Sequence, residues 1–169
     1  MYDELTQVDI DKMKEEITYR KTVLRPKLIE DVQIARGFGD LSENFEYKCA
    51  KRDKNRNDSR IRYLERMVAT AKVIENTPNA QEDTVNLFSK ITMFNEKLQK
   101  EQKIQLVTTL RQNPLKGLIS KESPVAKALL GHRVGDRVEV VVSPEMKYTV
   151  EIRAIEQGED DASLDISAY

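Results

Sequence analysis

From Asp9 to Arg36 the chain is densely charged, yet apolar residues recur at Ile10, Met13, Ile17, Leu24, Leu28 and Ala35, in steps of three, four and seven. That spacing predicts an α-helix with one apolar stripe. Pro26 lies inside it. Its ring removes a helical N–H and crowds the preceding turn, so a bend or a broken hydrogen-bond ladder is expected there. A second charged stretch, from about Leu41 to Glu75, places Ile61, Leu64, Val68 and Ala71 in steps of three, four and three, which is the seam of a coiled coil. Between the two, Gly37-Phe38-Gly39-Asp40 supplies glycines to end one helix and an aspartate expected to cap the next. The pattern predicts an antiparallel helical hairpin. A helix of about 30 residues at roughly 1.5 Å per residue would hold the turn about 45 Å from the base.

Asn76-Thr77-Pro78-Asn79 breaks this pattern, and beyond it the period shifts toward two. Lys90–Phe94, Ile104–Thr108 and Leu118–Ser120 read as strands. So do Arg137–Val142 and Tyr148–Ile155, which flank a turn at Ser143-Pro144-Glu145-Met146. Ser123-Pro124, followed by an apolar run and Gly131, has the cap, the first-turn proline and the stop of one short helix. The expected fold class is α+β, with an N-terminal antiparallel coiled-coil hairpin over residues 1–77 and a small antiparallel β domain with one short helix over residues 78–158. Residues 159–169 are acidic and poor in apolar side chains, and a flexible tail is expected there.

Composition removes several function classes. In 169 residues, 28 basic side chains nearly balance 29 acidic ones, so any electrostatic role must come from local segregation of charge. Cys49 is the single cysteine and His132 the single histidine, which excludes disulfide scaffolds and Cys/His zinc or catalytic pairs within one chain. Cys49 is expected to pack as a small thiol on the hairpin seam and His132 to lie in a surface turn. The first residues lack a basic leader with an apolar core, and no stretch approaches about 20 apolar residues, so a cytoplasmic protein with no membrane association is expected.

The chemistry gathers at the hairpin turn, Gly39-Asp40-Leu41-Ser42-Glu43-Asn44-Phe45-Glu46-Tyr47. Asp40 and Glu43 stand in the D-x-x-E arrangement of a capping box, and capping alone would account for both. The other reading is that the two carboxylates face one divalent ion. Two carboxylates hold magnesium poorly by themselves, because Mg²⁺ dehydrates reluctantly and is usually bound together with substrate phosphates. Such a tip needs a site supplied by another molecule, and a two-metal phosphoryl-transfer centre is one. After the tip, Lys48, Lys51, Arg52, Lys54, Arg56, Arg60, Arg62 and Arg66 outnumber Asp53, Asp58 and Glu65. This is either a solvated coiled-coil surface or a phosphate-attracting patch.

The run GDLSENFEYKCAKRDK followed by IRYLERMVATAKVIE, and the run SPVAKALLG followed by Val134-Gly135-Asp136, resemble the bacterial Gre transcript-cleavage factors. The resemblance implies an FKBP-like second domain and a hairpin that enters the secondary channel of bacterial RNA polymerase. There the hairpin stimulates the polymerase's own cleavage of backtracked RNA, so the protein would not be an enzyme by itself. It implies that Asp40 and Glu43 are the functional acidic pair, sharing Mg²⁺ only within the polymerase complex, with no cofactor held stably by the chain alone. Asn44, Glu46 and Tyr47 would support the tip. Lys51 and Arg52 would attract RNA near its 3′ end, and Glu122, Ser123 and Pro124 would dock on the polymerase. A monomer is expected. Phe45 departs from the small residue common at its position, Glu122 stands where some members have Asp, and Ala126 where Gly is frequent.

Two other classes compete. A Gre-like inhibitor would occupy the same channel without promoting cleavage. A prolyl isomerase is suggested only by the FKBP-like fold, and fold does not carry activity. Such sites are apolar pockets walled by aromatics, whereas this domain has Phe88, Phe94, Tyr148 and Tyr169 and no Trp.

Overall fold

The hairpin begins with helix α1 (Gln7–Tyr19), passes through a π-helical segment (Arg20–Leu24) and continues as α2 (Arg25–Arg36). The widened turn is the chain's accommodation of Pro26. Ahead of the proline, the Arg25 N–H bonds the Arg20 carbonyl five residues back instead of four. A π-segment absorbs the missing donor without ending the helix, so the expected bend takes this form. Asn57 on the opposite helix, α3 (Phe45–Thr70), is buried against this segment and accepts a bond from the Arg20 guanidinium (3.0 Å).

α3 is shorter than its sequence pattern suggested. It begins at Phe45, not near Leu41, and ends at Thr70, with Ala71 extended (φ −64°, ψ 135°). The chain then forms a short strand, β2 (Lys72–Val73), and the Ile74 N–H bonds the carbonyl of Leu5, which lies in strand β1 (Glu4–Leu5). A nonlocal strand contact therefore outweighs the helical period at the hairpin's base. Ile61, Leu64 and Met67 are the buried apolar residues of α3, with Val68 half-buried and Ala71 outside the helix.

This computed structural model describes residues 4–74 and 83–167. The chain divides into two compact units, one comprising Asp9–Lys72 and the other formed by Glu4–Val8 with the described residues 73–74 and 83–167. The expected boundary at 77/78 and the breaker at 76–79 lie outside the described residues. Glu4–Val8, which precede the hairpin in sequence, belong to the second unit, which the sequence pattern did not reveal.

In the second unit β3 (Lys90–Asn95), β4 (Lys100–Val107), β5 (Leu118–Ser120), β6 (Arg137–Ser143) and β7 (Met146–Glu156) form a sheet of order β5-β4-β3-β7-β6. Neighbours are antiparallel except β4 and β5, which run parallel. Alternate side chains of β3 and β6 point inward, as a period of two requires. Ile91, Met93, Leu106, Val138, Val140, Val150 and Ile152 meet Ala126 and Leu129 of helix α4 (Pro124–Leu129) in one core.

A second cluster of Phe88, Val107 and Leu118 packs with Leu164 from the acidic segment expected to fray. Arg111 beside it is fully buried. Its guanidinium pairs with Asp160 (2.6 Å), donates to the Asp161 carbonyl (3.1 Å) and to Thr6 Oγ1 (3.2 Å), and lies 5.5 Å from the centre of the Phe88 ring. The Ser167 N–H bonds the Leu110 carbonyl. At Gly158 a Cβ would sit 2.1 Å from the Phe88 carbonyl oxygen, so only glycine allows the chain to pass there.

Candidate functional site: the acidic hairpin tip

The turn between α2 and α3 is built from backbone bonds. Gly37 and Phe38 donate to the carbonyls of Ile34 and Ala35, closing the last turn of α2. Gly39 then adopts φ +126°, a conformation that glycine takes at little cost. The Asp40 carbonyl accepts from the Asn44 N–H (3.0 Å), and its carboxylate accepts from the Ser42 N–H (3.0 Å). The bonds from Ser42 hold the Asp40 carboxyl below its ordinary range, so it stays ionised.

Asp40 is therefore not the helix cap that the sequence suggested. That role belongs to Asn44, whose side-chain oxygen accepts from the Tyr47 N–H (2.9 Å) while its amide donates to the Ala35 carbonyl across the hairpin (2.7 Å). An amide has both a donor and an acceptor, so one side chain caps α3 and ties it to the end of α2, which an aspartate at that position would not do. The capping-box reading fails because Leu41, Ser42 and Glu43 form a turn before the helix instead of its first turn.

Asp40 and Glu43 are both exposed. Glu46 is exposed in the first turn of α3, where an acid suits the helix dipole. Tyr47 is half-buried between two cations, with Arg36 and Lys51 each 5.7 Å from its ring centre. The Arg36 guanidinium beside it, opposed by a smaller effect of burial and aided by the charge of Lys51, holds the Tyr47 phenol below its ordinary range. Arg36 was not singled out from sequence. The signal available was its place at the end of the first helix, opposite a tyrosine in the first turn of the second.

The basic residues after the tip divide into two sets. Arg60 is buried and donates from Nε and Nη2 to the Glu16 carboxylate (2.9 and 3.0 Å), and Lys54 pairs with Asp58 (2.9 Å). Arg60 ties α3 to α1, whereas the Lys54 pair lies within α3. Lys48, Lys51, Arg52, Arg56, Arg62 and Arg66 are exposed.

Glu122, Ser123 and Pro124 belong to the second unit. Ser123 Oγ accepts from the Ala126 N–H (3.1 Å) and caps α4 ahead of Pro124, as the sequence pattern predicted. Glu122 is exposed and pairs with Lys127 (2.9 Å). His132 is exposed beside Asp136 (Nδ1 to Oδ2 3.1 Å). Among the described residues no three His, Cys, Asp or Glu side chains group so as to hold a metal ion, and no helix is long and apolar enough to cross a membrane.

The chain matches the family model for the N-terminal domain of transcription elongation factors over residues 4–73 and the GreA/GreB C-terminal model over residues 80–157. It is 40% identical over 151 residues to transcription elongation factor GreA of Geobacillus kaustophilus, covering 89% of this chain and 94% of that one. To the GreA of Mesoplasma florum it is 37% identical over 153 residues, covering 89% and 96%. The crystal structure of GreA factor homolog 1 of Thermus thermophilus aligns at a TM-score of 0.42 and 24% identity, covering 93% of this chain and all of that one. Two domain models in sequence and relatives matched over nearly their whole length place this chain in the GreA/GreB family of transcription elongation factors.

Proposed function

We propose that this protein binds bacterial RNA polymerase, inserts its hairpin into the secondary channel and stimulates the polymerase's intrinsic cleavage of backtracked nascent RNA. The observation that carries this reading is the division of labour at the tip. Asn44 caps the helix, and the ionised Asp40 and the exposed Glu43 are left facing solvent at the far end of a 26-residue helix. Helix capping does not account for either carboxylate.

Two exposed carboxylates suit a magnesium ion shared with substrate phosphates, because Mg²⁺ dehydrates reluctantly and is usually held by one or two carboxylates together with such phosphates. Asp40 and Glu43 would hold that ion jointly with the polymerase. Held there by Asp40 and Glu43, such an ion would supply Lewis-acid polarisation of a phosphate oxygen and activation of a water. The chain's own contribution is positioning. Gly39 sets the direction of the turn, the Ser42 N–H fixes the Asp40 carboxylate, and Asn44 ties the turn to both helices. Lys51 and Arg52 lie one to two turns beyond the tip and attract the phosphates of displaced RNA. Glu122, Ser123 and Pro124 dock the second unit on the polymerase, which raises the local concentration of the tip. The test is RNA shortening in stalled, backtracked complexes. Accelerated release of short 3′ fragments is expected, and inhibition without shorter RNA would support the inhibitor reading instead.

A further inference from the structure

Phe45 is the first residue of α3 and is 76% exposed, more than its apolar neighbours in the turn, Phe38 (66%) and Leu41 (44%). An aromatic ring left in water forgoes the stabilisation of burial, and nothing in the hairpin covers this one. Lys48, Arg52 and Arg56 follow at steps of three, four and four, which puts them on the same helical face as Phe45, and all three are exposed. An aromatic ring at the head of a row of cations is the composition of surfaces that bind single-stranded nucleic acid. There the ring stacks on a base and the cations follow the phosphates.

We propose that Phe45 is a stacking platform for the unpaired base at or next to the 3′ end of the displaced RNA. This rests on the reading of the tip as directed to backtracked RNA, and it deepens that reading by naming the group recognised. An unpaired base offers an apolar face in a region otherwise lined with charge, and recognition of single-stranded RNA relies on such stacking. The alternative occupant, an apolar pocket on the polymerase, fits less well. Lysine is depleted from the cores of protein interfaces, and Lys48 stands one turn from the ring on its own face. Stacking is tolerant of base identity, so Phe45 should favour complexes with an extruded base of any sequence over those without one.

The experiment places 2-aminopurine, whose fluorescence is quenched by stacking, at the RNA 3′ end of a backtracked polymerase complex and adds the full chain to saturation. Wild type and Phe45→Trp should quench it, while Phe45→Leu, apolar but not aromatic, should not. In cleavage assays Phe45→Leu should require about tenfold more protein for half-maximal rate, in the range expected for loss of one base–aromatic stack. With an abasic 3′ nucleotide, wild type and Phe45→Leu should converge. Equal quenching by Phe45→Leu and wild type, or none by wild type, would overturn the proposal. So would weaker binding of Phe45→Leu to polymerase carrying no RNA, which would assign the ring to a protein pocket. Quenching without RNA shortening would leave the stacking assignment standing and remove the cleavage function instead.

Discussion

Between the helices of the hairpin, Glu16, Arg20, Asn57 and Arg60 form a bonded network beside Ile61 and Leu64, whereas the sheet unit encloses a core of apolar side chains between its strands and α4. The hairpin is two helices thick and has little interior to offer, so it fastens itself with directional, charge-assisted bonds. The sheet unit shields a continuous core and relies on burial. The two units should therefore fail differently. The hairpin should be most sensitive to loss of the charged bonds along its length, and the sheet unit to loss of volume in its apolar core.

The largest stability effect is expected in the sheet unit. Ile152→Ala removes a fully buried side chain from the centre of the core and should cost about 2–5 kcal/mol in urea denaturation. In the hairpin, Glu16→Gln keeps the shape but gives the buried Arg60 guanidinium a neutral acceptor, at a cost of about 1.5–3 kcal/mol. Burial opposes ionisation of Glu16, but its bonds from Arg60 and Arg20, together with their charges, outweigh this and hold its pKa below the ordinary 4.5. A lowered folded pKa contributes stability above the unfolded value, which is lost as pH falls through the folded one. Acid below about pH 4.5 should thus weaken helical circular dichroism in wild type, and Glu16→Gln should lose much of that pH dependence. A smaller effect, about 1 kcal/mol, is expected for Asn44→Ala, which removes the cap of α3 and its tie to Ala35. If Asn44→Ala proved costlier than Ile152→Ala, the contrast between the two units would be wrong.

Much of this contrast was legible in the sequence, because it is periodic. The stripe from Ile10 to Ala35, the alternation in β3 and β6, and the Ser123-Pro124 helix start are local patterns that local physics enforces. What escaped was nonlocal. The bond between Arg111 and Thr6 joins residues 105 positions apart, and the burial of Arg111 follows from segments at both ends of the chain meeting it. No spacing rule anticipates that. The end of α3 at Thr70 depended on the same kind of contact, the strand at 72–73 and the Ile74 to Leu5 bond. At the tip the acidic residues stood out at once, but their local roles did not. Asp40 and Asn44 are both good caps, and only the course of the backbone through Gly39 decides that Asn44 holds the position. The exposure of Phe45 was likewise not readable, since an apolar residue at a helix start is as often a packing residue as an open one.

The central claim, that the tip carboxylates serve chemistry and not the fold, is tested most directly by Asp40→Asn. Asn can still accept the Ser42 N–H, so the turn should be preserved and the thermal midpoint should change little. It cannot offer an ion the charge of a carboxylate, so stimulated RNA cleavage should fall at least about tenfold while the variant still competes with wild type for polymerase. Full cleavage activity in Asp40→Asn, with folding and competition intact, would contradict the account.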